Sequence, residues 1–247
     1  MHQKGLLTYA LNSIGNLVYI DEVDTGQLCN CYCPSCKEKL VAKNGGMKRV
    51  HHFAHASGVD CENAYETMLH QLAKLRVQEA FLSKEVFNVG FEYRSYCPHV
   101  KTCAFVRYGN CYISTHKRFN LKEFYDSCEQ EIQYDSINRR SDLKIFSSKK
   151  PQLAPIYIEF FVTHASDVSK LHNGGKIIEV KIESENDIQR IVDDGFIESS
   201  KCDSRLLEGI ESENISETTF WGFKSEDYDA KNITQEIEFS RYILCIR

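Results

Sequence analysis

The sequence predicts a mixed α/β core behind a β-rich N-terminal module. Three observations carry that prediction. Cysteine and histidine crowd into residues 29–61. A helical apolar repeat from about Asn63 to Ser83 follows, and after it come separate runs whose side chains alternate in steps of two. A short helix expected around 166–172 closes at Gly174-Gly175, a suitable C-terminal cap between two of those runs. The order helix, strand, insertion and helix, two strands, helix, strand suits an α/β core with a mixed sheet.

Taken in order, residues 6–28 read as two short strands about the turn at Gly15-Asn16, then a polar loop at Asp21–Gln27. Residues 29–61 carry an "NGG" turn at 44–46. In the helix, Tyr65, Met68, Leu69, Leu72, Leu75 and Ala80 recur at helical spacing. "EVFNVGFEY" (85–93) alternates as a strand, a second Cys/His stretch occupies 97–116, and "NLKEFYDSCEQEIQ" (120–133) reads as a helix. Three strands are expected at 141–146, 155–162 and 176–182. The tail holds a helix near 186–193, Trp221 and a closing strand "SRYILCIR". The divisions are a module at 1–61, a core at 62–190 with its insertion at 97–116, and a C-terminal extension at 191–247.

The 247 residues are 42% hydrophobic and 26% charged, ordinary for a globular chain, and suffice for one or two cores. No segment approaches the roughly 18–20 apolar residues of a membrane span, and the N-terminus lacks a leader pattern, so a cytoplasmic protein is expected. Eleven cysteines are many for the cytosol, where disulfides rarely persist, and their crowding suggests metal ligation. The net charge of −5 does not advertise nucleic-acid binding. Local basic clusters stand at Lys37–Arg49, His116–Arg118, Arg139–Arg140 and Lys149–Lys150.

"CPSC" (Cys33, Cys36) followed by "HFAH" (His52, His55) offers two thiolates and two imidazoles at zinc-finger-like spacing. Cys61 competes with His55 for the fourth place, and His51 is a substitute for His52. Cys97, His99, Cys103, Cys111 and His116 form a candidate second zinc site, with Cys29 or Cys31 as helpers. Cys128, Cys202 and Cys245 read as ordinary buried thiols.

"RRSDLKIF" opens a strand with Asp142, and Glu159 lies 17 residues later in the middle of the apolar strand "IYIEFF". A carboxylate there is costly unless it is paired, protonated or metal-bound. If the two strands form an antiparallel hairpin, the carboxylates meet on one face, and two hard oxygen ligands plus waters are what Mg²⁺ takes near phosphate. "ETMLHQLAK" places Glu66, His70 and Lys74 at i, i+4 and i+8 along one edge of the helix. That ladder is either a run of exposed helix pairs or a supply of an acid, a proton-transfer group and a phosphate-binding cation.

Together, "CPSC…HHFAH…C…ETMLHQLAK…RRSDL…IEFFVTHASDVSK…IEV" resembles the competence protein CoiA-like nuclease family, over about residues 10–185. The resemblance implies a zinc-binding module joined to a restriction-endonuclease-like αβββαβ core of the PD-(D/E)XK type. It implies a Mg²⁺- or Mn²⁺-dependent endonuclease with Asp142 and Glu159 as metal ligands, Glu66 and His70 on the first helix, and structural zinc in the module. The sequence departs from the pattern at one place: the carboxylate-x-lysine has become Glu159-Phe160-Phe161. Lys170, Lys74, Lys144 and Lys181 are the lysines within reach of the strand. The family's extended "E-x-x-x-T-H" followed by lysine matches Glu159, Thr163, His164 and Lys170, so Lys170 is the first choice and Lys74 the second. His164 is a candidate for proton transfer or phosphate contact. Reading "IEVKIE" as the true motif would use Glu179 and Lys181, which share a face, but leaves Asp142 37 residues away with a strand between.

The expected function is therefore hydrolysis of phosphodiesters, of DNA by preference, in DNA uptake or in defence against phage or plasmid DNA. A protein partner or a homo-oligomer would help an acidic chain hold its substrate. The rival expectation, favoured by Phe161, is a catalytically inactive nuclease fold acting as a zinc-stabilised nucleic-acid-binding or assembly module.

Overall fold

The computed structural model describes residues 5–59, 61–96, 99, 102, 112–133, 140–163, 175–198, 218–221 and 223. The N-terminal module is two hairpins. Strands β1 (Tyr9–Leu11) and β2 (Leu17–Tyr19) pair antiparallel around Gly15, whose φ of 87° lies in the left-handed region that glycine adopts without strain. Asn12 Oδ1 accepts the amides of Ile14 and Asn16 at 3.1 and 2.9 Å and so closes that turn from within. Strands β3 (Leu40–Lys43) and β4 (His52–His55) form the second hairpin, with Leu40 opposite His55 and Lys43 opposite His52. Tyr32 bridges to Leu11 on one side and Lys39 on the other, tying the cysteine-rich turn to both hairpins.

Helix α1 (Ala64–Ser83) buries Met68, Leu69, Leu72, Val77 and Phe81, which at about 100° per residue wrap more than half of its circumference, so it is packed on more than one side. The Phe81 ring meets Phe87 at 5.6 Å and lies under the Lys122 ammonium at 4.5 Å. Replacing it with alanine would cost about 3–5 kcal/mol through the cavity left behind.

Two sheets follow. Strands β5 (Asn88–Tyr96) and β6 (Tyr112–Asn120) make a long antiparallel hairpin. The main sheet contains β7 (Ser127–Gln133), β8 (Arg140–Phe146), β9 (Ile156–Phe161) and β10 (Lys176–Lys181). Strands β7, β8 and β9 form an antiparallel meander, and β10 lies parallel to β9. Helix α2 (Glu185–Asp194) packs on α1; Asp187 reaches back to the Ser184 amide at 2.9 Å to satisfy its first turn. Gly195 ends it with φ 85°, and a Cβ there would run into the Asn88 carbonyl. Strand β11 (Phe196–Ile197) then joins β5 in parallel. Strand β12 (Thr218–Trp221) closes the far edge of the main sheet, giving the order β12-β10-β9-β8-β7. One continuous apolar cluster runs from Leu7 to Phe220, so the module and the sheets share a core.

Three sequence expectations change. Residues 120–133 are not a helix: a 3-10 turn at Leu121–Glu123 leads into strand β7. The run is rich in helix formers, but pairing with β8 buries Cys128 and overrides propensity. Residues 112–116, at the end of the 97–116 stretch, open strand β6 and pair with β5 rather than forming part of an insertion. Finally, the C-terminal extension supplies an edge strand, and Phe220 and Phe223 pack on Phe91 at 5.3 and 5.8 Å. The helix expected at 166–172 and the closing strand "SRYILCIR" lie outside the described residues.

Candidate functional site

The cysteine-rich turn is set by its backbone. The Cys33 amide donates to the Glu38 carbonyl at 2.9 Å, the Lys37 amide to the Cys33 carbonyl at 3.1 Å, and Lys37 takes φ 63° to complete the reversal. This knuckle faces β4 on one side and the start of α1 on the other, where the Ala64 amide bonds the Cys61 carbonyl. Ligand atoms of Cys33, Cys36, His55 and Cys61 all lie within 4.8 Å of one another, and Cys36 Sγ is 3.4 Å from His55 Nε2. Tetrahedral zinc with its usual bond lengths needs ligand-to-ligand distances of about 3.3–3.8 Å, so the donor set fits it.

Cys61 and His55 therefore do not compete; both are in the cluster. His52 is outside that group. It lies three residues from His55 on one strand, and alternation turns the two to opposite faces. His52 Nδ1 instead bonds the Val50 carbonyl at 2.9 Å. His51 is not a substitute ligand: its two ring nitrogens meet Asp21 and the Gly46 carbonyl. Burial pushes the Cys33 thiol up to about 11. At Cys61 burial pulls the same way, but hydrogen bonding with Ser35 and Cys36 outweighs it and the thiol pKa falls. Cys31 is fully buried, with its thiol pushed up to about 12 by desolvation and by Cys29, and among the described residues it belongs to no ligand group. Of the second zinc candidates, His99 is exposed in a turn, and Cys97, Cys103 and Cys111 lie outside the described residues.

The carboxylates are gathered by sheet register. The β8–β9 ladder pairs Ile145 with Ile156, Lys144 with Tyr157 and Leu143 with Ile158, and Asp142 and Glu159 are the next residues beyond its last pair. Side chains alternate along each strand, so both acids turn to the face opposite Leu143 and Ile158. Glu159 is in turn the register partner of Glu179 on β10. On the other flank, Gln130 pairs with Leu143 and Ile132 with Ser141, leaving Glu131, at φ 51°, opposite Asp142. Four neighbouring strands thus contribute one acid each: Glu131, Asp142, Glu159 and Glu179. Glu159 and Glu179 are buried, at 4% and 6% exposure.

Helix α1 meets this row with its own ladder. His70 Nε2 lies 3.0 Å from Asp142 Oδ2, Lys74 Nζ lies 2.6 Å from Glu131 Oε1, and the Thr163 hydroxyl donates to Glu66 Oε1 at 2.9 Å. Glu66, His70 and Lys74 therefore address the end of β9, β8 and β7 in turn. Asp142 Oδ2 also accepts the Phe160 amide at 2.8 Å, which fixes the carboxylate across the strand gap. The Lys74 ammonium holds the Glu131 carboxyl below the usual carboxylate range. Among the described residues Asp142, Glu159 and their neighbours do not close into a ligand cluster as the four do around Cys33. A divalent ion there would take its remaining positions from water and phosphate, the usual habit of Mg²⁺. His164 and Lys170 lie outside the described residues.

Sequence reasoning missed Glu131 and set aside Glu179. Glu131 was hidden by the helix assignment of its segment, and Glu179 by the parallel pairing, which no local pattern specifies. A cleft of about 960 Å³ opens beside the row, between the β1–β2 turn and α1, with Asn12, Lys37, Gln71, Lys74 and Gln130 on its walls.

Fold and site together define a mixed α/β, strand-rich protein carrying a Cys₃His cluster suited to zinc in its N-terminal region. Residues 20–64 match the family model described as Competence protein CoiA, N-terminal domain, a match that supports a place among CoiA-like proteins. It takes in Cys33, Cys36, His55 and Cys61 and ends at Ala64, the first residue of α1. No curated protein and no solved structure gives a significant match. No described helix is long and apolar enough to cross a membrane.

Proposed function

We propose that the chain is a divalent-metal-dependent nuclease acting on DNA, with Asp142 and Glu159 at its centre. The observation that carries the reading is the contact of His70, on α1, with Asp142 at 3.0 Å, at the end of the β8–β9 ladder where Glu159 follows the last pair on the other strand. The antiparallel meander β7–β9 with β10 parallel to β9 supports the reading, since a restriction-endonuclease-like core is expected to carry three strands and then a fourth beside the third. The CoiA-type N-terminal match supports a competence-related setting, the handling of DNA during uptake; phage or plasmid defence is the other setting that such chemistry serves.

Mg²⁺ or Mn²⁺ held by Asp142 and Glu159 would neutralise charge and lower the pKa of bound water beside a phosphodiester. The protein's own part is geometric. The Phe160 amide and His70 fix Asp142, the apolar strands around Glu159 exclude bulk water, and Lys74 and Lys37 line the neighbouring cleft where a phosphate backbone would run. The Cys₃His cluster would hold zinc structurally, since all four positions are taken by protein.

The test is plasmid and single-stranded DNA incubated with purified protein, Mg²⁺ or Mn²⁺, and EDTA controls. Asp142→Ala and Glu159→Ala should each lower cleavage at least about 10²-fold, because losing a metal ligand removes several kcal/mol of transition-state stabilisation. Cleavage that survives EDTA, or that persists in the double variant, overturns the assignment. Phe161 favours a second reading, a nucleic-acid-binding or assembly module without hydrolysis. That reading expects salt-dependent DNA binding with no cleavage under any metal.

A further inference from the structure

We propose that the cleft beside the acid row takes the unpaired bases of single-stranded DNA, which makes a single strand the preferred substrate; this rests on the nuclease reading above. The cleft holds about 960 Å³ between the β1–β2 turn, the cysteine-rich turn, α1 and β7. Lys74 and Glu131, paired at 2.6 Å, belong both to its wall and to the acid row. Glu131 stands opposite Asp142 in the β7–β8 register, so a strand lying in the cleft runs beside Asp142.

The lining favours a base over a phosphate. Its charges cancel, with Lys37 and Lys74 set against Glu79 and Glu131. A groove that grips duplex DNA does so through cations available to the phosphates, and here Lys74 is already bound to Glu131. The rest of the wall includes the amide side chains of Asn16, Gln71 and Gln130 and the half-buried Tyr32. Among the described residues the Asn16 and Gln71 side chains have no hydrogen-bond partner, so their amides are open to a ligand. An unpaired base offers a flat face that stacks on an aromatic ring and an edge of donors and acceptors that amides match. In a duplex those faces and edges are occupied by other bases. A cavity of this size takes ligands of small-molecule dimensions, about 300–1,000 Å³, which suits a few splayed nucleotides rather than a double helix.

The N-terminal module preorganises one wall. Tyr32 and Leu11 exchange backbone hydrogen bonds at 2.7 and 2.9 Å, which joins the cysteine-rich turn to the β1–β2 hairpin. The Tyr32 hydroxyl donates to Asn30 Oδ1 at 3.3 Å, and the next residue, Cys33, belongs to the Cys₃His cluster. Lys37 follows Cys36 and is exposed; its ammonium donates to the Pro34 carbonyl at 2.6 Å. An ammonium has three donors, so N–H groups remain there for a phosphate of the bound strand. The zinc-suited turn therefore shapes the substrate cleft, and Gln71 faces it from α1, one residue past His70.

The experiment follows the fluorescence anisotropy of a labelled DNA strand, alone and annealed to its complement, titrated with the full chain without added divalent metal. Tyr32→Ala, Tyr32→Phe and Gln71→Glu are compared with wild type, with zinc content and melting temperature recorded for each. Cleavage of the same DNAs is then measured under Mg²⁺ and Mn²⁺. The single strand should bind at least about 10-fold more tightly than the duplex, and Tyr32→Ala should weaken it on the order of 10-fold, the size of one lost stacking contact. Tyr32→Phe, which keeps the ring, should retain the affinity. Gln71→Glu, which sets a negative charge in the cleft on a half-buried helix position, should lower it several-fold at unchanged melting temperature and decides the matter if Tyr32→Ala does not fold. Duplex bound or cut in preference to the single strand, or single-strand affinity untouched by Gln71→Glu, overturns this inference and leaves the nuclease reading standing. Tight single-strand binding that depends on Tyr32 and Gln71, without cleavage under either metal, overturns the nuclease reading and keeps the cleft.

Discussion

The Cys33–Cys36–His55–Cys61 cluster and the row of acids from Glu131 to Glu179 both gather ligand-type side chains, but at different ranges of sequence. The first is gathered within 29 residues by a knuckle, a hairpin and a helix start, and its four donors suit a tetrahedral ion. The second is assembled across four strands from hard oxygens, and among the described residues it closes no such cluster. A closed soft site stabilises a fold; the hard acids are the groups proposed to act on a substrate. The chain thus separates the group that holds the module together from the groups proposed to do chemistry, and α1 connects them, with Cys61 before its first residue and His70 two turns on.

The largest effects should come from breaking the closed site. Structural zinc in small modules contributes about 10–16 kcal/mol of apparent binding free energy near neutral pH, so losing one ligand removes much of the module's stability. Cys33→Ser, Cys61→Ser and His55→Ala should each lose zinc, measured by atomic emission after desalting, and should lower the melting temperature. His52→Ala should keep its zinc. Equal loss from His52→Ala and His55→Ala would break the strand-alternation argument. Because burial holds metal-free Cys33 protonated up to about pH 11, zinc uptake must displace its proton. Retention should therefore weaken as pH falls, seen as earlier release to a chromophoric chelator.

This contrast also explains what was legible in the sequence. Cys-x-x-Cys and the nearby histidines are close in sequence and close in space, so spacing alone points to the cluster. Spacing does not separate His52 from His55, because only the strand's period decides which faces the thiolates. Asp142 and Glu159 were legible because an antiparallel hairpin links residues 17 apart. Glu179 and Lys181 were named but set aside, since the parallel partner of β9 arrives through a crossover whose length says nothing about register. Strand β7 was misread because Glu- and Gln-rich sequence favours a helix until β8 offers a ladder. Strand β12 was passed over because four residues at an edge leave only a faint pattern.

A middle-sized effect probes the row itself. Glu131→Gln removes the partner of the nearly buried Lys74, and because the Glu131 side chain is 55% exposed the cost should be no more than about 1 kcal/mol. The sign with pH follows from the lowered carboxyl. The contribution is present above the ordinary value near 4.3 and is lost as pH falls through the lower folded value. Urea melts of wild type and variant should therefore differ at neutral pH and converge below about pH 4. A gap that persists in acid would mean that Glu131 supports the sheet by packing rather than charge.

The smallest effect lies beside the closed site, at the histidine that stays out of it. His51 Nδ1 meets Asp21, its Nε2 meets the Gly46 carbonyl at 2.7 Å, and these contacts raise its pKa, the Asp21 hydrogen bond foremost. A raised histidine stabilises fully below the ordinary value near 6.5, and that contribution is lost as pH rises through the higher folded value. The group lies at the module surface, with about a third of its side chain exposed (32%), so the readout is titration rather than stability. Asp21→Asn should move the His51 imidazole midpoint downward, followed by two-dimensional NMR, with zinc content unchanged. If the midpoint stays, the Gly46 carbonyl holds the charge; if zinc is lost, His51 shares the work of the Cys₃His cluster and the separation of fold-holding from surface histidines fails.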